Sequence, residues 1–214
     1  MEAELQALRE GVIGGRKAEV EAGVPKALEA GIPTERVLAD GLIGAMAEVG
    51  RRFEAGEFYV PEMLIAARAM QAGLAMLRPQ MVREGVPSAG KVLMGTVKGD
   101  LHDIGKNLVA MMLEGAGFEV IDLGTDVPPE KFAATVREQA PKVVGLSALL
   151  TTTMQNMKAT LEALEDVGVR SQVKVVVGGA PVTQAFAEKI GADGYAPDAS
   201  RAVALVKSLL DAKR

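Results

Sequence analysis

Residues 91–115 read KVLMGTVKGDLHDIGKNLVAMMLEG, and their reading decides the fold. KVLMGTV (91–97) is a short apolar run without clean alternation, as expected of a strand buried on both faces of a parallel sheet. Residues 104–116 have helical length and periodicity, and KGDLHDIG joins the two as a loop. Working outward, EVIDLG (119–124), VVGLSAL (143–149) and VKVVVGG (173–179) repeat the strand pattern. Helix-length segments at 129–139, 152–167 and 181–191 separate them, and a weak fifth strand near GYAP (194–197) precedes a closing helix, SRAVALVKSLLDA. Strict β/α alternation predicts an α/β domain built on a doubly wound, flavodoxin- or Rossmann-like, five-stranded parallel sheet. Such sheets bind ligands beyond the carboxyl ends of their strands, and KGDLHDIG lies at that end of the first strand.

Toward the N-terminus the rhythm changes. LQALREGVI, RKAEVEAGVPKALEA, PTERVLADGLIGAMAEVGRRFEAG and VPEMLIAARAMQAGLAMLRPQMV each repeat apolar residues at three- and four-residue spacing. Gly14-Gly15, Gly31-Ile32-Pro33 and the stretch from Gly56 to Pro61 punctuate them, with Pro33 and Pro61 suited to first-turn positions. Four helices on short turns predict a four-helix bundle over residues 1–84. REGVPSAGK then reads as a linker, placed at 85–90, and the sheet domain takes residues 91–214.

Composition narrows the function classes. The net charge of −4, with no run of Lys or Arg, argues against nucleic acid or a membrane surface as partner. There is no Cys, which excludes disulfides, thiolate metal sites and cysteine nucleophiles. The start, MEAELQALRE, is acidic where a signal peptide is basic, and no apolar stretch has the length of a membrane span. The expected location is the cytoplasm.

The chain has one histidine, His102, inside the loop GDLHDIG. By position alone it reads as a surface residue as readily as a ligand, and Gly99 and Gly105 serve equally as turn and helix-start glycines. The loop lacks the spacing of a dinucleotide or Walker phosphate cradle. Asp100 precedes the histidine by two residues and Asp103 follows it, and a carboxylate on one ring nitrogen is the usual support for a metal-ligating imidazole. With no second His and no Cys, an ordinary zinc site cannot form. A metal held here must bring most of its own coordination, as a macrocycle does.

GDLHDIGKNL resembles the Asp-x-His-x-x-Gly motif of cobalamin-binding domains in methionine synthase and in the corrinoid proteins of methyltransferase systems. LSALLTTT is similar to that family's Ser-x-Leu-x-Thr segment, VVVGGAP to its Gly-Gly turn, and APDASRAV to its closing segment. GRRFEAGEFYVPEMLIAARAM is similar to the helical cap of the methyl-carrying members. The resemblance covers nearly the whole chain in the right order.

That resemblance implies residue roles. His102 is the lower axial ligand of cobalt, replacing the cofactor's dimethylbenzimidazole, and Asp100 accepts the imidazole N–H. Thr153 falls where methionine synthase has the Ser that completes this relay. Gly99, Leu101, Asp103, Ile104 and, from the Ser-x-Leu-x-Thr segment, Leu149 are further cofactor contacts. Gly105, Ser147, Thr151, Gly178, Gly179 and Ala199 line a slot for the displaced nucleotide tail. In the cap, Phe53 and Val60 cover the reactive face, Val60 standing where methionine synthase has Leu, and Ala39 replaces a cofactor-contacting Glu.

The implied cofactor is cobalamin, as methylcobalamin or a related cobalt corrinoid. The implied function is a methyl carrier, a non-autonomous component of a cobalamin-dependent methyltransferase system. Its partners are a substrate:corrinoid methyltransferase and a methylcorrinoid:acceptor methyltransferase using tetrahydrofolate or a thiol. The resemblance also admits a corrinoid reductive activase. The alternatives are an adenosylcobalamin-binding mutase subunit, a cobalamin-dependent regulatory module, and a flavodoxin-like interaction protein that binds no corrinoid.

Overall fold

The computed structural model describes residues 1–211. Two compact units emerge, one of Met1–Ala89 with Met111–Phe118, the other of Gly90–Ala110 with Glu119 onward.

In the first unit, α1 (Glu2–Ile13), α2 (Lys17–Glu29), the consecutive helical pieces α3 (Thr34–Arg36), Val37–Ile43 and α4 (Gly44–Glu54), and α5 (Val60–Glu84) follow the four periodic stretches. Leu8, Val20, Leu42, Met63, Met70 and Leu77 are fully buried among them. Each such side chain contributes about 1.5–3 kcal/mol through burial. One departure from regular periodicity stands out: Val37–Ile43 is π-helical. The wider turn keeps Val37, Leu38 and Leu42 buried, and Gly41 faces Leu5 and Leu8. Pro61 occupies the first turn of α5, as expected. Pro33 instead caps α3 from outside, its extended backbone leaving the carbonyl to accept from Arg36 and Val37 N–H (2.9 and 3.0 Å).

From residue 91 onward the elements alternate: β1 (Lys91–Thr96), α6 (Ile104–Gly115, whose residues from Met111 are counted with the first unit), β2 (Glu119–Asp122), α7 (Pro129–Gln139), β3 (Val143–Ser147), α8 (Gln155–Asp166), β4 (Lys174–Gly178), α9 (Gln184–Ile190), β5 (Gly194–Tyr195) and α10 (Ala199–Asp211). The expected closing helix also included residue 212, which lies outside the described residues. All pairings are parallel and the strand order is β2-β1-β3-β4-β5. The chain leaves β1 toward one edge and β3 toward the other, so the loops after these adjacent strands diverge at the switch point. Leu93, Val144, Leu146, Val175 and Val177 from the sheet share a core with Phe132 and Val136 of α7, Met157 and Leu161 of α8, and Ala187 of α9. Two helices begin later than their periodicity predicts, α8 at 155 rather than 152 and α9 at 184 rather than 181. The intervening residues are turns, and Thr183 caps α9 by accepting from Phe186 N–H (3.2 Å).

Candidate functional site

The β1–α6 and β3–α8 loops meet at Asp100. Its side chain is fully buried, while that of His102 is 51% exposed. Asp100 Oδ1 lies 2.7 Å from His102 Nδ1 and accepts the His102 backbone N–H at 3.1 Å. Oδ2 accepts from the backbone N–H groups of Leu149 (2.8 Å) and Leu150 (3.3 Å). It also lies 2.6 Å from Thr153 Oγ1, which is 3.0 Å from the Leu150 carbonyl. The hydroxyl has one proton, and the carboxylate, being charged and nearer, is the stronger acceptor. Burial pushes the Asp100 pKa up, but the donors from Thr153, His102 and Leu149 outweigh it and hold the group well below the ordinary carboxylate value. A negative charge is thus fixed beneath a half-exposed imidazole.

With Asp100 as its acceptor, Nδ1 carries the ring proton and the Nε2 lone pair points away from the carboxylate. His102 Nε2 has no hydrogen-bond partner among the described residues. Leu101 and Ile104, which flank the histidine, are 71% and 80% exposed, and Leu149 and Leu150 across the loop are also exposed. An open imidazole nitrogen on loops that also expose four aliphatic side chains fits a flat, largely apolar metal macrocycle. Among the described residues there is no group of three His, Asp or Glu able to hold a bare ion.

The ligand loop is held at several further points. Thr96 Oγ1 donates to the His102 carbonyl (3.0 Å), and Asn156 Nδ2 to the Lys98 carbonyl (2.7 Å). Asp103, just before α6, accepts from Asn107 through both its carbonyl (2.7 Å) and its side chain (3.0 Å). Lys106 is buried and pairs with Asp122 and with Asn107 Oδ1 (2.6 Å). None of these supports was read from the sequence. Backbone carbonyls carry no residue signature, and a lysine beside an exposed helix start reads as solvated.

The expected tail-pocket residues fall in several environments. Ser147 ends β3, paired with Thr96 and Gly178. Thr151 is exposed, and Ala199 is buried at the start of α10. Around Gly105 a Cβ would meet nothing within 4 Å. Gly179 is different: at φ 129°, a Cβ there would lie 1.9 Å from the Ala148 carbonyl oxygen. Its glycine is required by the chain's own packing, with or without a ligand. Gly178 has the Ala196 carbonyl 3.1 Å from a Cβ position. In the first unit, Phe53 is half-buried near the end of α4 and Val60, at the start of α5, is exposed.

Comparison with known proteins agrees with this geometry. Two family models, each described as a B12 binding domain, match residues 90–204 and 4–78. The dimethylamine corrinoid protein of Methanosarcina barkeri is 47% identical over 208 residues, covering 96% of this chain and 97% of its own. The trimethylamine corrinoid protein of Methanosarcina barkeri is 48% identical over 188 residues, 87% of each chain. A cobalamin-binding protein from Desulfitobacterium hafniense superposes with a TM-score of 0.79 at 32% identity, over 95% of this chain and 97% of that one. A chain of the methanol:cobalamin methyltransferase complex of Methanosarcina barkeri gives 0.87 at 29% identity, over 98% and 80%. The chain that places a lone imidazole on a buried carboxylate at the switch point of a 2-1-3-4-5 sheet belongs to the B12-binding corrinoid proteins, and its cofactor is a cobalamin-type corrinoid.

Proposed function

We propose that the chain is a corrinoid methyl carrier that holds cobalamin with its dimethylbenzimidazole displaced and His102 as lower axial ligand. It passes a methyl group between a substrate:corrinoid methyltransferase and a second methyltransferase whose acceptor is tetrahydrofolate or a thiol. The observation that carries this reading is the Asp100–His102 pair, which engages Nδ1 and leaves Nε2 as the ring nitrogen open to a metal. Bound there, the corrinoid supplies a cobalt centre able to accept and release a methyl group. Asp100 fixes the ring tautomer and orientation, and its charge balances the imidazole when Nε2 is protonated instead of metal-bound. Residues 1–84 act as a cap in which Phe53 and Val60 shield the reactive face, 85–90 as a linker, and 91–214 as the corrinoid domain, with the nucleotide tail beside Gly105, Ser147, Thr151, Gly178 and Ala199.

The relatives named for dimethylamine and trimethylamine support methylamines as donors, and the methanol:cobalamin methyltransferase complex supports a methyltransferase as partner. Reconstitution tests the reading. Apoprotein loaded with cobalamin, reduced, and offered dimethylamine, trimethylamine or methanol with the corresponding methyltransferase is expected to take up one methyl group, and His102→Ala to do so far more slowly. Preferential binding of adenosylcobalamin, with no methyl uptake from any of the three, would overturn it.

A further inference from the structure

Asp126 lies between β2 and α7 and has no role in the site as described so far. Its backbone is left-handed, at φ 53°, which is uncommon outside glycine although Asp and Asn tolerate it best. Both of its polar groups engage the ligand loop. Its N–H donates to the Asp100 carbonyl at 2.9 Å, and its Oδ1 accepts the Gly99 N–H at 2.6 Å. The two bonds close around the peptide that joins Gly99 to Asp100. Gly99 is itself left-handed, at φ 81°.

The segment bearing Asp126 is laced to the end of β1. Leu123 N–H donates to the Met94 carbonyl (2.9 Å), Thr96 N–H to the Gly124 carbonyl (2.9 Å), and Val127 N–H to the Thr96 carbonyl (3.0 Å). Asp126 therefore reaches the loop from an element already fixed by the sheet. A non-glycine residue held in an uncommon conformation, with donor and acceptor both directed at two neighbouring residues, is over-determined in the manner of functional sites.

We propose that Asp126 is a positioning residue for His102: by clamping the backbone at Gly99 and Asp100, it holds the Asp100 carboxylate where it selects the Nδ1–H tautomer of the imidazole. This rests on His102 being the axial ligand and deepens that reading. The Asp100 carboxylate is gripped by the β3–α8 loop through Oδ2, and its main chain by the Val97 carbonyl (3.1 Å) and by Asp126. Losing the Asp126 carboxylate frees the Gly99 end of this frame, and Oδ1, the oxygen that the β3–α8 loop does not hold, shifts from Nδ1.

The single histidine makes the test clean, because protein labelled with 15N-histidine gives one ring spin system. In apoprotein the wild type is expected to show one Nδ1–H tautomer and a Gly99 amide protected from hydrogen exchange. Asp126→Gly, which keeps the backbone but removes the acceptor, is expected to average the two tautomers and to speed Gly99 exchange on the order of tenfold, one hydrogen bond's worth. Asp126→Asn keeps an acceptor oxygen and tolerates the same φ, so it is expected to restore the single tautomer. A single tautomer retained in Asp126→Gly would overturn the proposal, as would its loss in both variants. If Asp126→Gly does not fold, the wild type decides: a Gly99 amide that exchanges unprotected overturns the clamp, and a protected one upholds it. All readouts are taken without cofactor, so a failure of His102 to ligate cobalt would end the proposed function and leave this result legible.

Discussion

Asp100 and His102 form a pair in which one member is wholly buried and the other half open, their Oδ1 and Nδ1 atoms 2.7 Å apart. That asymmetry divides the work. The buried partner is locked by the fold, and the open one presents a ring nitrogen whose tautomer the lock has chosen.

Every group placed to interact with the Asp100 carboxylate is a donor: the His102 ring and backbone N–H, the Leu149 and Leu150 N–H, and the Thr153 hydroxyl. Asp100→Asn must set its amide NH2 against one set of these donors whichever way it turns. The expected outcome is a loss of about 1–3 kcal/mol in urea unfolding. The proposed coordination of cobalt by His102 is expected to weaken roughly 10–100-fold in spectrophotometric titration.

Thr153 supplies one hydroxyl to that carboxylate at 2.6 Å from a buried position. Thr153→Val conserves shape and removes the donor, so it should cost about 1 kcal/mol and shift the coordinated fraction of His102 downward. Thr153→Ser keeps the hydroxyl and is expected to coordinate like the wild type, measured on the same titration.

Acid stability draws on depressed carboxylates, among them Asp100 and Asp193: burial raises the Asp193 pKa, but the Val175 N–H, Lys174 and Arg170 lower it further. A folded-state pKa below the unfolded value stabilises the native protein above the unfolded pKa, near 4, and the contribution is lost as pH falls through the folded value. Urea midpoints should therefore hold steady from pH 7 to about 5 and drop below about pH 4. Asp193→Asn should show a shallower acid slope than the wild type, and an unchanged slope would refute the assignment.

Gly105 and Gly179 separate a ligand role from a folding role. Gly179→Ala would drive a Cβ to 1.9 Å from the Ala148 carbonyl oxygen, and should cost about 3 kcal/mol or more, or prevent folding. Gly105→Ala meets nothing within 4 Å and sits in the first turn of α6, so thermal stability should be unchanged or raised by up to about 1 kcal/mol. If the nucleotide tail passes beside Gly105, cobalamin affinity falls even so, an effect that calorimetry with cobalamin reads separately from melting.

The sheet was legible because the inner strands β1, β3 and β4 are covered on both faces and carry short apolar runs; the edge strand β2, half-buried at most, was found by the shorter EVID run between two helical segments. The position of His102 followed from the order of elements, since the loop after β1 opens at the switch point. The supports of the site were hidden for physical reasons. Asp100 and Thr153 are 53 residues apart, and the bond between them became readable only through the family resemblance. The late start of α8 has the same origin: residues 149 to 153 turn toward Asp100 before the helix begins. Asp126 acts through a main-chain conformation, and Lys106 through burial against Asp122, neither of which leaves a pattern in one sequence. The π-helical stretch Val37–Ile43 preserves the buried apolar positions of a regular helix, so periodicity could not reveal it.

The most direct test is the electron paramagnetic resonance spectrum of the cobalamin-loaded protein in its Co(II) state, recorded with 14N- and with 15N-histidine. Coordination by His102 predicts a nitrogen superhyperfine pattern that changes from triplet to doublet splitting on labelling and disappears in His102→Ala. A triplet unaffected by the label, the mark of benzimidazole still bound to cobalt, would contradict the account.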